Sequence, residues 1–364
     1  MTESTALPPR AHDAAAPGNR RGPSKAALVG LAVLAGVLVA TQGHVNGTLA
    51  GYLDDAFLTA LVSFGGSFAV VAVAMIASRR ARQAYGRALR AGLLRPARAL
   101  DGAPVSRFRW FHLLAGLGGA FFTLSQGLTI GTLGVAIFIV ALVAGQSVAS
   151  LVVDRYGLSP SGPIPLTPAR IVGPVLAIVA TLVSVAGYLG EAEGLWLAVF
   201  PFVAGAGQTF QQTFSGHVRG AATLPAEVGG KVGQAPGILA AAFQNFAVGL
   251  PVLAIAYGIE LLARGPIHEV FPANPLWYLG GPLAVGFLAI AAGVVHRIGA
   301  LQLALGMITG QTVGALVIDL VTGYQPAPTT FVAAGLTLTA VAIPAVAGAR
   351  AARRHAGRRA ERDG

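Results

Sequence analysis

Residues 142–157 read LVAGQSVASLVVDRYG, and residues 307–323 read MITGQTVGALVIDLVTG. A shift of 165 places Gly145 on Gly310, Gln146 on Gln311, Val148 on Val313 and Asp154 on Asp319, and upstream Gly134 falls on Gly299. Identity at Gly, Gln and Asp is informative, because drift among apolar residues would not produce it. A second pair joins the segments that open each half. Residues 34–49 read LAGVLVATQGHVNGTL and 203–218 read VAGAGQTFQQTFSGHV. A shift of 169 aligns Gly36 with Gly205, Gln42 with Gln211, Gly47 with Gly216 and Asn46 with Ser215. More loosely, Ser63-Phe64 pairs with Asn245-Phe246. The chain is a duplication, and repeats of this kind decide the fold before any local reading does.

The composition says where the duplicated unit lives. Of 364 residues, 54% are hydrophobic and 11% charged. Soluble domains carry about 25% charged residues, so a soluble enzyme is disfavoured. A span needs about 20 apolar residues, and apolar segments recur near 26–46, 57–78, 110–130, 133–153, 170–190, 195–215, 237–262, 276–296, 298–320 and 327–349. The weakest is 195–215, whose centre holds Gln208, Gln211 and Gln212. Ten spans in two halves give five per half (26–190 and 195–349). Five is odd, so the second half enters the membrane in the opposite sense. Such inverted repeats are common in secondary transporters. The polar stretch 1–25 reads as a disordered tail, and 350–364 as a basic tail.

The net charge of +11 resolves into topology. With the N-terminus cytoplasmic, 24 of the 25 Lys and Arg residues fall on the cytoplasmic side, nine of them from Arg79 to Arg109. Only Arg264 falls outside. Cytoplasmic loops collect Lys and Arg, so the basic loop 79–109 does not call for nucleic acid as a partner. Contact with anionic lipid headgroups is the reading that remains for it.

Gln42…Asn46-Gly47, Ser63-Phe64 and the run 144–157 ending in Asp154-Arg155-Tyr156-Gly157 resemble the YdcZ-type family of the drug/metabolite transporter superfamily. The resemblance covers about 28–349. The second half departs from it where Ser215 replaces Asn46 and Leu320 replaces Arg155. The resemblance implies an all-α integral membrane protein with ten helices as two inverted five-helix repeats. It also implies a substrate cavity formed by the first four helices of each half, and export or uptake of small metabolites or drugs, with export the favoured direction.

Polar groups in hydrocarbon need partners, so they face a cavity or another helix. Gln42 and Asn46 lie at i and i+4, on one face. Gln208, Gln211, Gln212 and Ser215 fit i, i+3, i+4 and i+7 in the repeat-related helix. Gln146 and Gln311 occupy matching places, and Ser63, Gln244 and Asn245 complete the cavity candidates. The competing reading of all these is interhelical hydrogen bonding. His44 carries an imidazole, the side chain whose ordinary pKa lies near neutral pH. With Asp154 and Asp319, placed at opposite ends of their spans where they stay hydrated, it is a gate or coupling candidate. For each, packing or a helix-end contact is the alternative.

No Walker A motif, H-E-x-x-H or G-x-S-x-G occurs. Cys is absent, which removes thiolate metal sites. No cofactor or metal is implied. The sequence therefore reads as a bacterial inner-membrane secondary transporter with both termini cytoplasmic, and not an enzyme. The alternatives are a proton-independent facilitator and a polytopic membrane protein without transport, such as an intramembrane enzyme. Expected partners are a small-molecule substrate and the bilayer; protons and a second copy of the chain are further candidates.

Overall fold

The computed structural model describes residues 24–93, 108–158, 163, 168–186, 196–224, 235–265, 270–298, 300–340 and 342–343. Most of both tails, and residues 94–107 of the basic loop, lie outside the described residues. Described helices are α1 (Lys25–Leu53), α2 (Ala56–Ala77), α3 (Arg79–Leu93), α4 (Gly116–Tyr156), α5 (Pro168–Ala186), α6 (Val199–Ala222), α7 (Ala235–Arg264), α8 (Gly280–Ile298) and α9 (Ala300–Val321), followed by α10 (328–340). A 3-10 turn, Trp110–Ala115, leads into α4, and another, Pro275–Tyr278, precedes α8. No strand occurs among the described residues. Among the described residues five helices are long and apolar enough to cross a membrane: Ala26–Leu53, Ala56–Ala77, Trp110–Tyr156, Ala235–Ala263 and Leu303–Val321. The chain is thus an all-α membrane protein. α6, weakened by its glutamines, is not among the five.

Capping explains several boundaries. Ser24 accepts from the Ala27 amide at 3.2 Å and starts α1. α1 runs on to Asp54, whose φ of 45° ends the helix. Asp55 then accepts from the Leu58 amide at 2.8 Å and starts α2. The Asp54-Asp55 pair is thereby a helix-to-helix turn.

The 41 residues of α4 are not one rod. Gly134 has φ 76° and ψ 165°, a conformation open essentially to glycine alone. The rings of Phe122 and Phe138 are 6.2 Å apart, whereas 16 residues of straight helix would separate them by about 24 Å. The two arms of α4 therefore fold back on each other at Gly134, the second residue of the segment read as 133–153, so that the first arm holds most of the segment 110–130. The repeat-related Gly299 falls between α8 and α9, although it lies outside the described residues.

The duplication is realised as reciprocal contacts. α1 packs on α8 and α9, and α6 packs on α4. A Cβ on Gly36 would overlap the Met307 carbonyl, and one on Gly310 the Val33 carbonyl. In the other crossing a Cβ on Gly205 would overlap the Leu142 carbonyl, and one on Gly145 the Phe202 carbonyl. Each contact maps onto the other under the sequence shifts: Met307 on Leu142, and Phe202 on Val33. A second reciprocal pair joins Gly116 to the backbone of Asn245 and Gly249, and Gly281 to that of Ser63 and Ser67. Between the halves, the repeat-related rings of Phe64 and Phe246 meet edge-on at 4.9 Å. Phe138, Val39, Ala204 and Ala315 form the main core around these crossings.

Asp319 departs from its expected hydrated position. It is 2% exposed, and its two carboxylate oxygens accept from the amides of Val135 (2.9 Å) and Ala136 (2.8 Å). The turn at Gly134 frees the first amides of the second α4 arm, and a carboxylate from the other half of the chain satisfies them.

Two outcomes follow. Gly→Ala inside a helix ordinarily gains up to about 1 kcal/mol. Gly36→Ala and Gly205→Ala should instead lose about 1–3 kcal/mol, because backbone cannot yield to the added methyl. Gly30→Ala, where nothing lies within 4 Å, should be neutral or stabilising. Thermal melting in detergent reads the contrast, and equal shifts at all three sites would contradict these crossings. Asp319→Ala should cost about 2–3 kcal/mol, since bonds to a charged acceptor contribute about 1.5–3 kcal/mol. Asp319→Asn, keeping one acceptor, should cost less; equal melting of the two variants would remove the capping role.

Candidate functional site

The polar residues singled out in the sequence sort into two groups. One group lies in seams between helices. Asn46 Nδ2 donates to Gln126 Oε1 at 2.7 Å, tying α1 to the first arm of α4. Asn46 Oδ1 and Ser63 Oγ both crowd Gly280 at the start of α8, where a Cβ would collide with either. Ser67 Oγ, one turn on, lies 3.1 Å from both the Ser63 and Gly281 carbonyls. The repeat mates carry the same two functional groups with the helices exchanged. Helix α6 carries the hydroxyl, Ser215, and α7 the amide, Asn245, whose Nδ2 donates to Ser215 Oγ at 2.9 Å. Each half places one amide and one hydroxyl at these positions on exchanged helices, but only in the second half does a hydrogen bond join them; Asn46 bonds Gln126 instead.

Gln146 Nε2 donates to Gln208 Oε1, and Thr209 Oγ1 reaches the Gln146 carbonyl at 3.3 Å. Their repeat positions do not repeat the bond, because Val39 stands where Gln208 would be required. Gln311 is 3% exposed, and its Oε1 finds no partner among the described residues; the same holds for Gln42 Oε1, on a side chain 2% exposed. Gln211 is half-buried, with its amide against Gly119, and Gln212 is exposed. Gln244 is fully engaged: its Nε2 donates to the Leu113 carbonyl at 2.9 Å, and its Oε1 accepts from Tyr85 OH at 2.8 Å. Burial raises the Tyr85 pKa; the phenol is protonated at neutral pH even without that shift.

The second group is the pair His44 and Asp319, which line a cavity of about 550 Å³ at the Asp54 end of α1; none of the amide and hydroxyl residues expected to form a cavity lines it. His44, Thr48 and Tyr52 of α1 form one wall, and Asp319, Thr322 and Tyr324 the other, with Gly47, Gly51, Gly131 and Gly134 between them. The volume suits a small organic molecule. Trp277 stands edge-on to His44 at 6.4 Å and tilted against Tyr52 at 5.8 Å. Tyr324 OH donates to the Thr132 carbonyl at 3.2 Å. The cavity thus joins two of the gate candidates, His44 and Asp319. The third, Asp154, is half-buried in the last turn of α4, at the repeat-related place in the other half.

Several residues went unseen in the sequence. Gln126, fully buried, carries the same signal as Gln42, a lone amide in an apolar span. His112 and His217 are stacked at 4.2 Å with an interplanar angle of 19°. His112 Nδ1 accepts from the Arg109 amide at 2.8 Å, and His217 Nε2 donates to the Leu158 carbonyl at 2.8 Å. They are 105 positions apart and no motif links them. Among the described residues no group of three or more His, Cys, Asp or Glu could hold a metal ion.

Comparison with known proteins agrees with this architecture. No curated protein matches the chain. A solved structure, described only as "Crystal structure of protein", shares the fold with a TM-score of 0.51 and 17% identity, over 90% of this chain and 99% of that one. At that identity the likeness speaks to fold alone. The family model described as "Putative inner membrane exporter, YdcZ" matches twice, over residues 27–183 and 196–344. The two matches coincide with the two halves of the duplication and together cover most of the chain, which therefore belongs to the YdcZ family.

Proposed function

We propose that the chain is a ten-span secondary transporter that exports a small organic solute by alternating access of two inverted five-helix halves. The reciprocal glycine crossings carry this reading. Helix α1 of the first half crosses α9 of the second as α6 of the second crosses α4 of the first. Two units in such mutual embrace have two equivalent ways to tilt, and these open opposite ends. The ten apolar segments support the same reading once the arms of α4 are counted separately: α1, α2, two arms, α5, then α6 to α10. Lys and Arg placement supports an orientation with both termini in the cytoplasm.

The Asp54 end is then the outer end, and the 550 Å³ cavity is an outer vestibule. Its lining of hydroxyls, aromatic rings and one backbone-bonded carboxylate suits a neutral or weakly charged molecule. A strongly ionic substrate would want an uncommitted countercharge. The half-buried Gln211, with Gln42 as its repeat mate, supplies amides further along the same path. His44, Asp319 and Asp154 remain the coupling and gating candidates. For protons as the coupling ion, the support is the presence of His44 in the cavity wall. A facilitator that needs no gradient is the second reading, favoured by the scarcity of charge along the path.

In proteoliposomes, a substrate found by screening toxic metabolites against a deletion strain should show saturable flux. Thr48→Trp, filling the vestibule, should lower that flux about tenfold or more, as a steric clash of 1–3 kcal/mol would. Gln42→Ala combined with Gln211→Ala should abolish it. Normal flux in both variants would sink the assigned path. Accumulation that collapses with the proton gradient marks coupling; flux that only equilibrates marks a facilitator.

A further inference from the structure

We propose that α3 is a docking surface for anionic phospholipid of the leaflet at its end of α2. The inference rests on α2 being a membrane span and on nothing else in the transport reading. α3 begins one residue after α2 ends, so it lies where hydrocarbon gives way to headgroups. Its sequence, RRARQAYGRALRAGL, is strongly two-faced. Ala81, Ala84 and Ala88 are completely buried, against Val218 and Ala222 of α6 and Ala240 and Ala241 of α7. The small side chains bring the helix down as a strap across the second half.

The arginines divide by task. Arg87 donates to the Ala222 carbonyl through Nε at 3.0 Å and Nη2 at 2.6 Å, capping the end of α6. Arg82 donates to the carbonyls of Met75 and Ile76, capping the end of α2. Cations at helix C-termini are favoured there. Arg79, Arg80 and Arg90 are exposed, and among the described residues no carboxylate meets them. No acidic residue occurs in the sequence between Asp55 and Asp101. Arg79, Gln83, Gly86 and Arg90 follow i, i+4, i+7 and i+11, one outward stripe about 16 Å long. At Gly86 nothing lies within 4 Å of where a side chain would stand, which leaves a notch between the two arginines. Leu93, 65% exposed, flanks the stripe, and Val73 and Ile76 of α2 are exposed beneath it. A cationic ridge bordered by apolar surface fits a phosphate head on an acyl chain better than a free polyanion. Each arginine near an anionic surface contributes about a fivefold preference.

The test is native mass spectrometry of the full chain in detergent with equal phosphatidylglycerol and phosphatidylcholine. The wild type should retain phosphatidylglycerol preferentially. The variant carrying Arg79→Gln, Arg80→Gln and Arg90→Gln should lose about a hundredfold of that preference with its melting unchanged. Equal retention of both lipids by the wild type, an unaltered preference in the triple variant, or preferential capture of an added RNA oligonucleotide would overturn the proposal. A second measurement holds if the triple variant fails to fold. The chain has no Cys, so Gln83→Cys accepts a single spin label. Its motion should slow when phosphatidylglycerol replaces phosphatidylcholine in nanodiscs, and indifference to the lipid would equally overturn the proposal.

Discussion

Close approach of backbone to backbone at four glycines is the constraint on which this molecule depends. Lipid tails are as apolar as leucine, so helices in a bilayer gain nothing simply by leaving lipid for one another. What holds them is dense van der Waals contact, and that needs surfaces without side chains in the way. Gly36 and Gly310 provide one such surface, Gly205 and Gly145 the other. In each crossing a carbonyl oxygen occupies the space a Cβ would need. Weak Cα–H···O contacts add to the packing in such geometry. The residues that follow inherit their positions from it: Gln146 and Gln311 come immediately after Gly145 and Gly310, and so sit at the seam between halves.

The same constraint explains why the halves match in backbone and differ in side chains. A glycine at a crossing has no substitute. An amide or hydroxyl in a seam needs only some partner within reach, and that partner can be supplied from either helix. Hence Asn46 beside Ser63 in one half becomes Ser215 bonded to Asn245 in the other. Likewise Gln146 is satisfied by Gln208 while its mate Gln311 faces no such group. The seams are polar on both sides but not equally so, and a path running between them would present different chemistry at its two ends.

The sequence made legible whatever repeats within it or follows composition. Segment after segment fell within a few residues of a helix, and the shifts of 165 and 169 identified the glycines that prove to be the crossings. Gly134 was visible as a repeat position, but not as the hinge of a folded-back pair, because only its φ distinguishes a turn from a helix. The basic loop was visible as charge, whereas the helix Arg79–Leu93 inside it was not, since its buried face is made of alanines that carry little signal. Partnerships across long separations stayed hidden. Asp319 looked solvated because a span-end carboxylate usually is, yet it caps an arm 183 positions earlier. Gln244 looked like a cavity group and is a tie between Tyr85 and Leu113.

For two halves that rock, these contacts have unequal consequences. Glycine crossings present smooth backbone surfaces, so a small change of angle breaks no interlocked side chains. The obstacles lie at the ends of the helices, where specific polar ties join one half to the other. At the Asp54 end the ties are the Asp319 carboxylate on Val135 and Ala136 and the Tyr324 hydroxyl on the Thr132 carbonyl. At the opposite end Gln244 of the second half joins Tyr85 and Leu113 of the first. His217 holds the Leu158 carbonyl beneath its stack on His112, and Arg87 of the first half caps α6 of the second. On the proposed alternating access, opening either end would require its own ties to break, and each buried polar group left unpaired would add to the cost. The crossings would then act as pivots and the terminal ties as latches. The barrier to exchange would be set by a few hydrogen bonds at each end, not by the packing at the centre.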